Sequence, residues 1–135
     1  VGLVASIATI EKYKKYNVEK ILDKNGTIIQ SGWKELADKH KLDISVMGIK
    51  PLSYFTFNYS NDKEIKTLFI QEMLKFGFMS TTAYYSSFAH KEEDVKEYLD
   101  AVDKVFEIIK ESIDARNMDK LLHSEVCHGG FKRLT

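Results

Sequence analysis

The sequence predicts an α+β fold: a two-layer sandwich in which a small, mainly antiparallel sheet of about three strands is covered by helices on one face. Apolar residues recur at helical spacing in four long segments, whereas residues 44–48 and 54–59 alternate between apolar and polar side chains. Helices with one apolar stripe and strands with one apolar face bury both by packing in two layers. A chain of 135 residues with 44% hydrophobic content is long enough for one domain with a real core.

The first two helices are predicted over residues 3–16 and from Val18 to about His40. In each, apolar side chains return every three or four positions, and Asn17 separates the two patterns. Gly26 and Gly32 interrupt the second helix and weaken it by about 1 kcal/mol each relative to alanine. We therefore expect close packing against a neighbour at both glycines.

Two strands follow, joined by a turn at Lys50-Pro51. The second strand places Phe55, Phe57 and Tyr59 on one face and polar or mixed side chains on the other. Basic residues do not interleave with the aromatic ones, which favours the core face of a sheet over a platform for stacking nucleic-acid bases. The two strands are expected to pair antiparallel.

A third helix is predicted from Asn61, which forms a capping-box-like start with Glu64. Its apolar face runs from Ile65 to Phe76, and Gly77 supplies the left-handed residue that often ends a helix. Phe78 and Met79 are expected to begin a third, short strand.

The last long helix is predicted to start in the acidic run at residues 92–94, where negative charge complements the helix dipole. Its apolar stripe extends from Val95 to Ile113. Residues 114–135 form a C-terminal tail of mixed character, in which Gly129-Gly130 breaks any helix.

The stretch 77–90 lies between the last two helices and carries no charged side chain from Gly77 to Ala89, although 30% of the chain is charged. It is rich in hydroxyl groups. One interpretation is a connector tucked under the helices, with its hydroxyls bonded to local backbone groups. The other is a wall of a polar ligand site, because such sites are built on ordered loops held by a rigid frame.

The composition excludes several classes of function. The 20 basic and 20 acidic residues cancel, so no global field attracts nucleic acid or anionic lipid. No apolar run approaches the roughly 20 residues needed to cross a bilayer. A single cysteine, Cys127, fits a reducing environment and hence a cytoplasmic protein. The sequence begins at Val1 and enters a helical pattern at once, and we expect it to be a piece of a longer polypeptide.

Self-sufficient catalytic, cofactor and metal sites are not predicted. His123 and Cys127 stand four positions apart, but a closed zinc site needs four ligands, and His40 and His90 lie far away in sequence. Nothing in the spacing supplies Cys127 with a base, and His90 is interpreted as a cap-region residue. No glycine-rich phosphate loop follows a strand.

Several segments together resemble the C-terminal domain of class III aminotransferases, most of all glutamate-1-semialdehyde 2,1-aminomutase and its relatives. They are residues 61–74, Gly77-Phe78 and 87–95, in an order of helix, glycine, short strand, Ser-x-x-His and acidic helix start. The helix over residues 3–16 is similar to the one that leads from that family's large domain into its small domain. The resemblance covers nearly the whole chain.

The resemblance implies a fold-type-I enzyme that depends on pyridoxal phosphate and forms a homodimer. Residues 1–135 would be its C-terminal small domain, with residues 1–17 as the linker helix. The cofactor lysine and the phosphate loops belong to the large domain, so this chain alone would bind no cofactor and catalyse nothing. Its part would be a movable wall and lid over an amine or carbonyl substrate.

On that alignment the substrate side of the wall comprises Ser80, Thr81, Thr82, Tyr84 and Tyr85. Thr82 stands where the aminomutase commonly has a glutamate, so a neutral, hydroxylated substrate such as an amino sugar or polyol ketone is an alternative to an amino acid. Arg133 is a further candidate for an anionic group, against the alternative of an ordinary surface arginine.

A freestanding α+β module that binds a small molecule or a protein without catalysis is the alternative to an enzyme domain. The second face of the sheet distinguishes the two. An autonomous module covers that face or makes it polar, whereas a domain of a larger enzyme exposes an apolar patch there.

Overall fold

The computed structural model describes residues 2–128 and contains five helices and one sheet of three strands in that part of the chain. The elements are, in order, α1 (Gly2–Lys15), α2 (Val18–His40), β1 (Ile44–Ile49), β2 (Leu52–Phe57), α3 (Asp62–Lys75), β3 (Ala83–Tyr85), α4 (Glu92–Ala115) and α5 (Met118–Leu121). The predicted fold class is confirmed. Residue 1 and residues 129–135, including Gly129-Gly130 and the candidate Arg133, lie outside the described residues.

The sheet has the order β1-β2-β3 and both pairings are antiparallel. Ile49 lies opposite Leu52, and Leu52 lies opposite Tyr85, so side chains of all three strands meet on one face. The other face packs on the helices. There the ring of Phe55 lies 4.8 to 5.9 Å from four other aromatic rings, those of Trp33, Phe57, Phe69 and Phe106. The aromatic stripe of β2 is therefore core, as predicted.

Both glycines of α2 are close-packing positions, as expected. A methyl group on Gly26 would overlap the backbone carbonyl of Lys50 in the turn between β1 and β2. A methyl group on Gly32 would lie 2.7 Å from the side chain of Leu99 on α4. The two glycines let α2 approach the sheet turn and α4 closely.

The third strand was predicted to begin at Phe78 and Met79, and that prediction is wrong. Phe78 instead completes the end of α3: its N–H donates to the Met73 carbonyl, and the Gly77 N–H donates to the Leu74 carbonyl. Gly77 has φ +87°, so this is the two-bond helix ending that glycine favours. With the Phe78 ring packed against Tyr98, the strand forms later, at Ala83–Tyr85.

Two further predictions about α3 are also wrong. Asn61 precedes the helix, but its side-chain amide donates to the Glu64 carboxylate at 3.1 Å and makes no bond to the helix backbone, so the capping box does not form. Phe76 is 39% exposed rather than buried, and it lies at the C-terminal cap of the helix, one residue beyond Lys75. Its ring lies under the Lys104 ammonium group instead.

Candidate functional site

A cleft of about 370 Å³ lies beside the free edge of β3. Residues 78–81 form one wall, β3 forms the floor, and the first turns of α4 together with His90 form the other wall. We call it the β3 cleft. Its position follows from the fold, because the end of α3 and the start of α4 both pack on the core and hold the stretch 77–90 between them.

The structure places most of the predicted substrate-side residues in this cleft. Ser80, Thr81, Tyr84 and Tyr85 line it. Thr82 does not: it is 9% exposed, and its carbonyl accepts a hydrogen bond of 2.9 Å from the Phe55 N–H in the ladder between β2 and β3. The proposed role of these residues in substrate contact stays a prediction.

His90 anchors the end of the uncharged stretch. Its Nδ1 atom accepts from the Ser87 N–H at 3.3 Å, so Nδ1 carries no proton and the Tyr84 hydroxyl, 2.9 Å away, is a donor to it. The His90 carbonyl in turn accepts from the side-chain amide of Asn25, a buried residue of α2. These bonds fix the Tyr84 side chain at the floor of the cleft and occupy the His90 nitrogen that a general base would use.

Tyr98 brings a buried hydroxyl to the cleft. It is 6% exposed, and its oxygen accepts a hydrogen bond of 3.2 Å from the indole N–H of Trp33. Burial raises the pKa of Tyr98 to about 12, against smaller opposing effects of hydrogen bonds to Ser80 and Trp33. Tyr98 therefore stays a neutral hydroxyl throughout the physiological pH range.

Asp94 contributes the charge of the cleft. One of its carboxylate oxygens accepts the Lys91 N–H at 2.8 Å and so caps α4. Burial and, to a lesser extent, the negative charge of Asp94 raise the pKa of Tyr84. Of residues 2–128, none that lines the cleft is a lysine or an arginine.

Sequence reasoning missed three polar members of the cleft, namely His90, Asp94 and Tyr98. Asp94 was assigned only to the helix dipole and Tyr98 only to the core stripe. Their spacing of four residues was the available signal, because positions i and i+4 lie on the same face of a helix. That face turns toward the uncharged stretch.

A second surface feature is the sheet face that the helices leave uncovered. Its apolar side chains are Met47, Ile49, Leu52, Tyr54 and Tyr85, and we call them the open sheet face. All are exposed, and Ile49 and Tyr85 reach 70% exposure. The register places them in two neighbouring rows across the sheet, so they form one contiguous apolar patch.

The helix α1 carries a further exposed apolar stripe. No residue of α1 is buried within the described part of the chain, and Leu3 is 83% exposed. Val4, Ile7 and Ile10 are exposed on the same helix. Together with the open sheet face, this stripe gives the domain more uncovered apolar side chains than scattered surface residues would.

Other candidate residues do not come together into a site. His123 and Cys127 do not share a helix face, because residues 122–128 are not helical. The Cys127 N–H donates to the Thr67 hydroxyl at 2.9 Å. Within residues 2–128 no three His, Cys, Asp or Glu side chains converge as a metal site would require.

Over the same described residues, the helices do not combine the length and apolarity that crossing a bilayer requires.

This chain is similar in fold to part of a larger protein of known structure. No family model matches the sequence. Among solved structures, the internal aldimine form of the FumI protein from Sphingopyxis sp. MTA144, a structure that contains PLP, is similar with a TM-score of 0.64 and 22% sequence identity. The match covers 71% of this chain and only 24% of the FumI chain. At this identity the likeness shows a shared fold. The match spans only a minor part of the length of the FumI chain.

Proposed function

We propose that this chain, residues 1–135, is the C-terminal small domain of an enzyme that depends on pyridoxal phosphate and transfers an amino group as an aminotransferase or aminomutase does. Residues 1–17 would be the helix entering from the large domain, and residues 114–135 the tail. The sequence resemblance and the shared fold with part of FumI, a PLP-containing protein, support this proposal. In it the domain lines the substrate side of an active site whose reactive groups lie in the large domain, within a homodimer.

The observation that carries the proposal is the open sheet face. A freestanding module of this size would gain stability by covering or replacing the exposed Ile49, Leu52 and Tyr54 side chains. A small domain keeps them because the rest of the polypeptide covers them. The apolar stripe of α1 supports the same interpretation.

The residues of the β3 cleft do not fit pyridoxal phosphate itself. A phosphate group carries up to about two negative charges. In the cleft it would meet the carboxylate of Asp94, and no lysine or arginine among the described lining residues would compensate its charge. We therefore assign the cofactor to the proposed large domain. The role of this chain is then to bind and orient the substrate and to exclude water.

The first test is the polypeptide that contains this chain. The coding frame upstream of Val1 should encode a large domain with a cofactor lysine, and the purified whole protein should show the absorbance of a lysine imine. The isolated 135-residue chain should lose added cofactor on gel filtration. A frame without a large domain, or a stable imine on the isolated chain, would overturn the proposal.

The second test is the interface. Ile49→Asp places a charge on the open sheet face without touching the core, so the isolated chain should keep its stability within about 0.5 kcal/mol. In the whole enzyme the same change should loosen the contact between domains, seen as faster proteolysis between them. Leu74→Asp, at an exposed apolar residue on α3, is the matched control and should leave that proteolysis unchanged. Equal effects of both changes would contradict the assignment of the face.

A further inference from the structure

The floor of the β3 cleft is a strand edge with free backbone groups. In the ladder with β2, the Phe55 N–H donates to the Thr82 carbonyl and the Ser86 N–H donates to the Pro51 carbonyl. Bonded and non-bonded pairs alternate in an antiparallel ladder. The N–H and C=O groups of Ala83 and Tyr85 therefore point away from β2, and no other described residue bonds them.

This edge offers donors and acceptors at a fixed spacing. Ala83 and Tyr85 are two residues apart, so their groups repeat every roughly 7 Å along the strand. A ligand group that both donates and accepts satisfies such an edge, and a hydroxyl does both. A carboxylate only accepts, so it would leave the two carbonyls of the edge without donors.

The walls favour the same ligand chemistry. The cleft is lined by residues that carry hydroxyls, among them Ser80, Thr81 and Tyr98, and by Asp94, whose carboxylate is a formal negative charge. The N-terminus of α4 would attract an anion, but Asp94 already takes the Lys91 N–H there. An anionic ligand would therefore face repulsion without a compensating cation among the described lining residues.

We propose that the β3 cleft is a recognition subsite for a neutral, hydroxyl-bearing carbon chain, and that it discriminates against carboxylates. This deepens the proposed function and rests on it only in calling the ligand a substrate. The amine or carbonyl substrate of the parent enzyme then carries hydroxyl groups along the part that contacts this domain. Phe78 and Val95 supply the apolar surface for its carbon skeleton.

The test uses the full chain and three small probes. These are xylitol, the dicarboxylate xylarate, which has the same carbon number, and N-acetylalanine methylamide, which imitates a peptide strand. Titration is followed by amide chemical shifts. Xylitol should shift the Ala83 and Tyr85 amides saturably, whereas xylarate should bind more weakly by about fivefold or more, because its carboxylates would be repelled by the negative charge of Asp94 even in water.

Three variants distinguish the contribution of the β3 strand edge to binding from that of the Asp94 charge. Asp94→Asn keeps an oxygen for the helix cap and should raise the affinity for xylarate by about two- to fivefold with little change for xylitol. Glu97→Gln removes a charge from an exposed position of the same helix outside the cleft and should change neither affinity. Ala83→Pro removes one edge donor but no ladder bond, and should weaken xylitol binding by about three- to tenfold.

Three results would overturn the proposed subsite. They are equal affinities for xylitol and xylarate, tighter binding of N-acetylalanine methylamide than of xylitol, and no saturable amide shifts with any probe. The Asp94→Asn comparison stands even if Ala83→Pro does not fold. These outcomes are independent of the upstream coding frame. Failure of the subsite leaves the proposed enzyme family standing, and failure of the family leaves a polyol-binding cleft on a freestanding module.

Discussion

Alkaline pH should destabilise this protein through Tyr98, and the size of the effect follows from its burial. The pKa of Tyr98 is raised from 10.0 to about 12 in the folded chain. Between these two values only the unfolded chain ionises this residue, so its stabilising contribution is complete below about pH 10 and is lost as the pH rises through about 12. At about 1.4 kcal/mol per pKa unit, the loss is about 2 to 3 kcal/mol.

Tyr98→Phe removes the titrating group and isolates this effect. Urea unfolding followed by far-ultraviolet circular dichroism gives the free energy of unfolding at each pH. Below about pH 9 the variant should be less stable by about 1 to 3 kcal/mol, because the buried Trp33 N–H loses its acceptor. Toward about pH 12 the wild type should lose about 2 to 3 kcal/mol relative to the variant, so the gap closes or reverses.

Tyr13→Phe is the matched control, since Tyr13 lies on α1 and is exposed. It should keep the pH dependence of the wild type. The inference that burial holds the Tyr98 hydroxyl neutral would be refuted by one result. In it, the unfolding free energies of wild type and Tyr98→Phe would stay parallel from neutral to strongly alkaline pH.

Two further predictions concern the frame that positions the cleft. Gly26→Ala should destabilise the chain by about 1 to 3 kcal/mol despite alanine's better helix propensity, because the new methyl meets the Lys50 backbone. Gly32→Ala should destabilise the chain less, since its methyl meets only the flexible tip of Leu99. Thermal unfolding gives the midpoint of each variant, and equal midpoints would contradict this prediction. Asn25→Ala removes the buried donor to the His90 carbonyl and should cost about 1 to 3 kcal/mol, with faster amide hydrogen exchange over residues 83–90. Asn58→Ala is its control: it removes exposed bonds to Asp43 and Ser45, outside the stretch, and should leave exchange over residues 83–90 unchanged. Unchanged exchange in Asn25→Ala would show that the bond to His90 does not hold the stretch.

The sequence was sufficient for the elements whose signal is periodic. The stripes of α2 and α4 and the alternation of β2 each extend over enough residues for one face to be recognised, and Gly26 and Gly32 could be explained before their neighbours were known. The short strand could not be located in this way. Phe78 fits a strand by composition, but its N–H belongs to the end of α3, and three residues of β3 carry too little alternation to compete.

The site was predictable in its loop and not in its partners. The missing charge of residues 77–89 indicated the stretch, and the family resemblance indicated Ser80, Thr81, Tyr84 and Tyr85 within it. Tyr98 and Asp94 come from α4, and their contact with the loop depends on how that helix packs on the sheet. Thr82, within the indicated run, is buried and does not line the cleft. Ala83, Tyr84 and Tyr85 all line the cleft, so alternation along β3 would not have identified the cleft residues.

The cleft and the open sheet face share one strand. Tyr85 lines the cleft and also ends the row formed with Leu52 and Ile49 across the sheet. On the proposed function, the large domain that covers the open sheet face would therefore also approach the free edge of β3. A ligand hydrogen-bonded to that edge would then lie beside the proposed contact between the domains, and substrate binding and domain closure would stabilise each other. On the proposed function, this coupling gives a domain without reactive groups of its own a direct part in positioning the substrate.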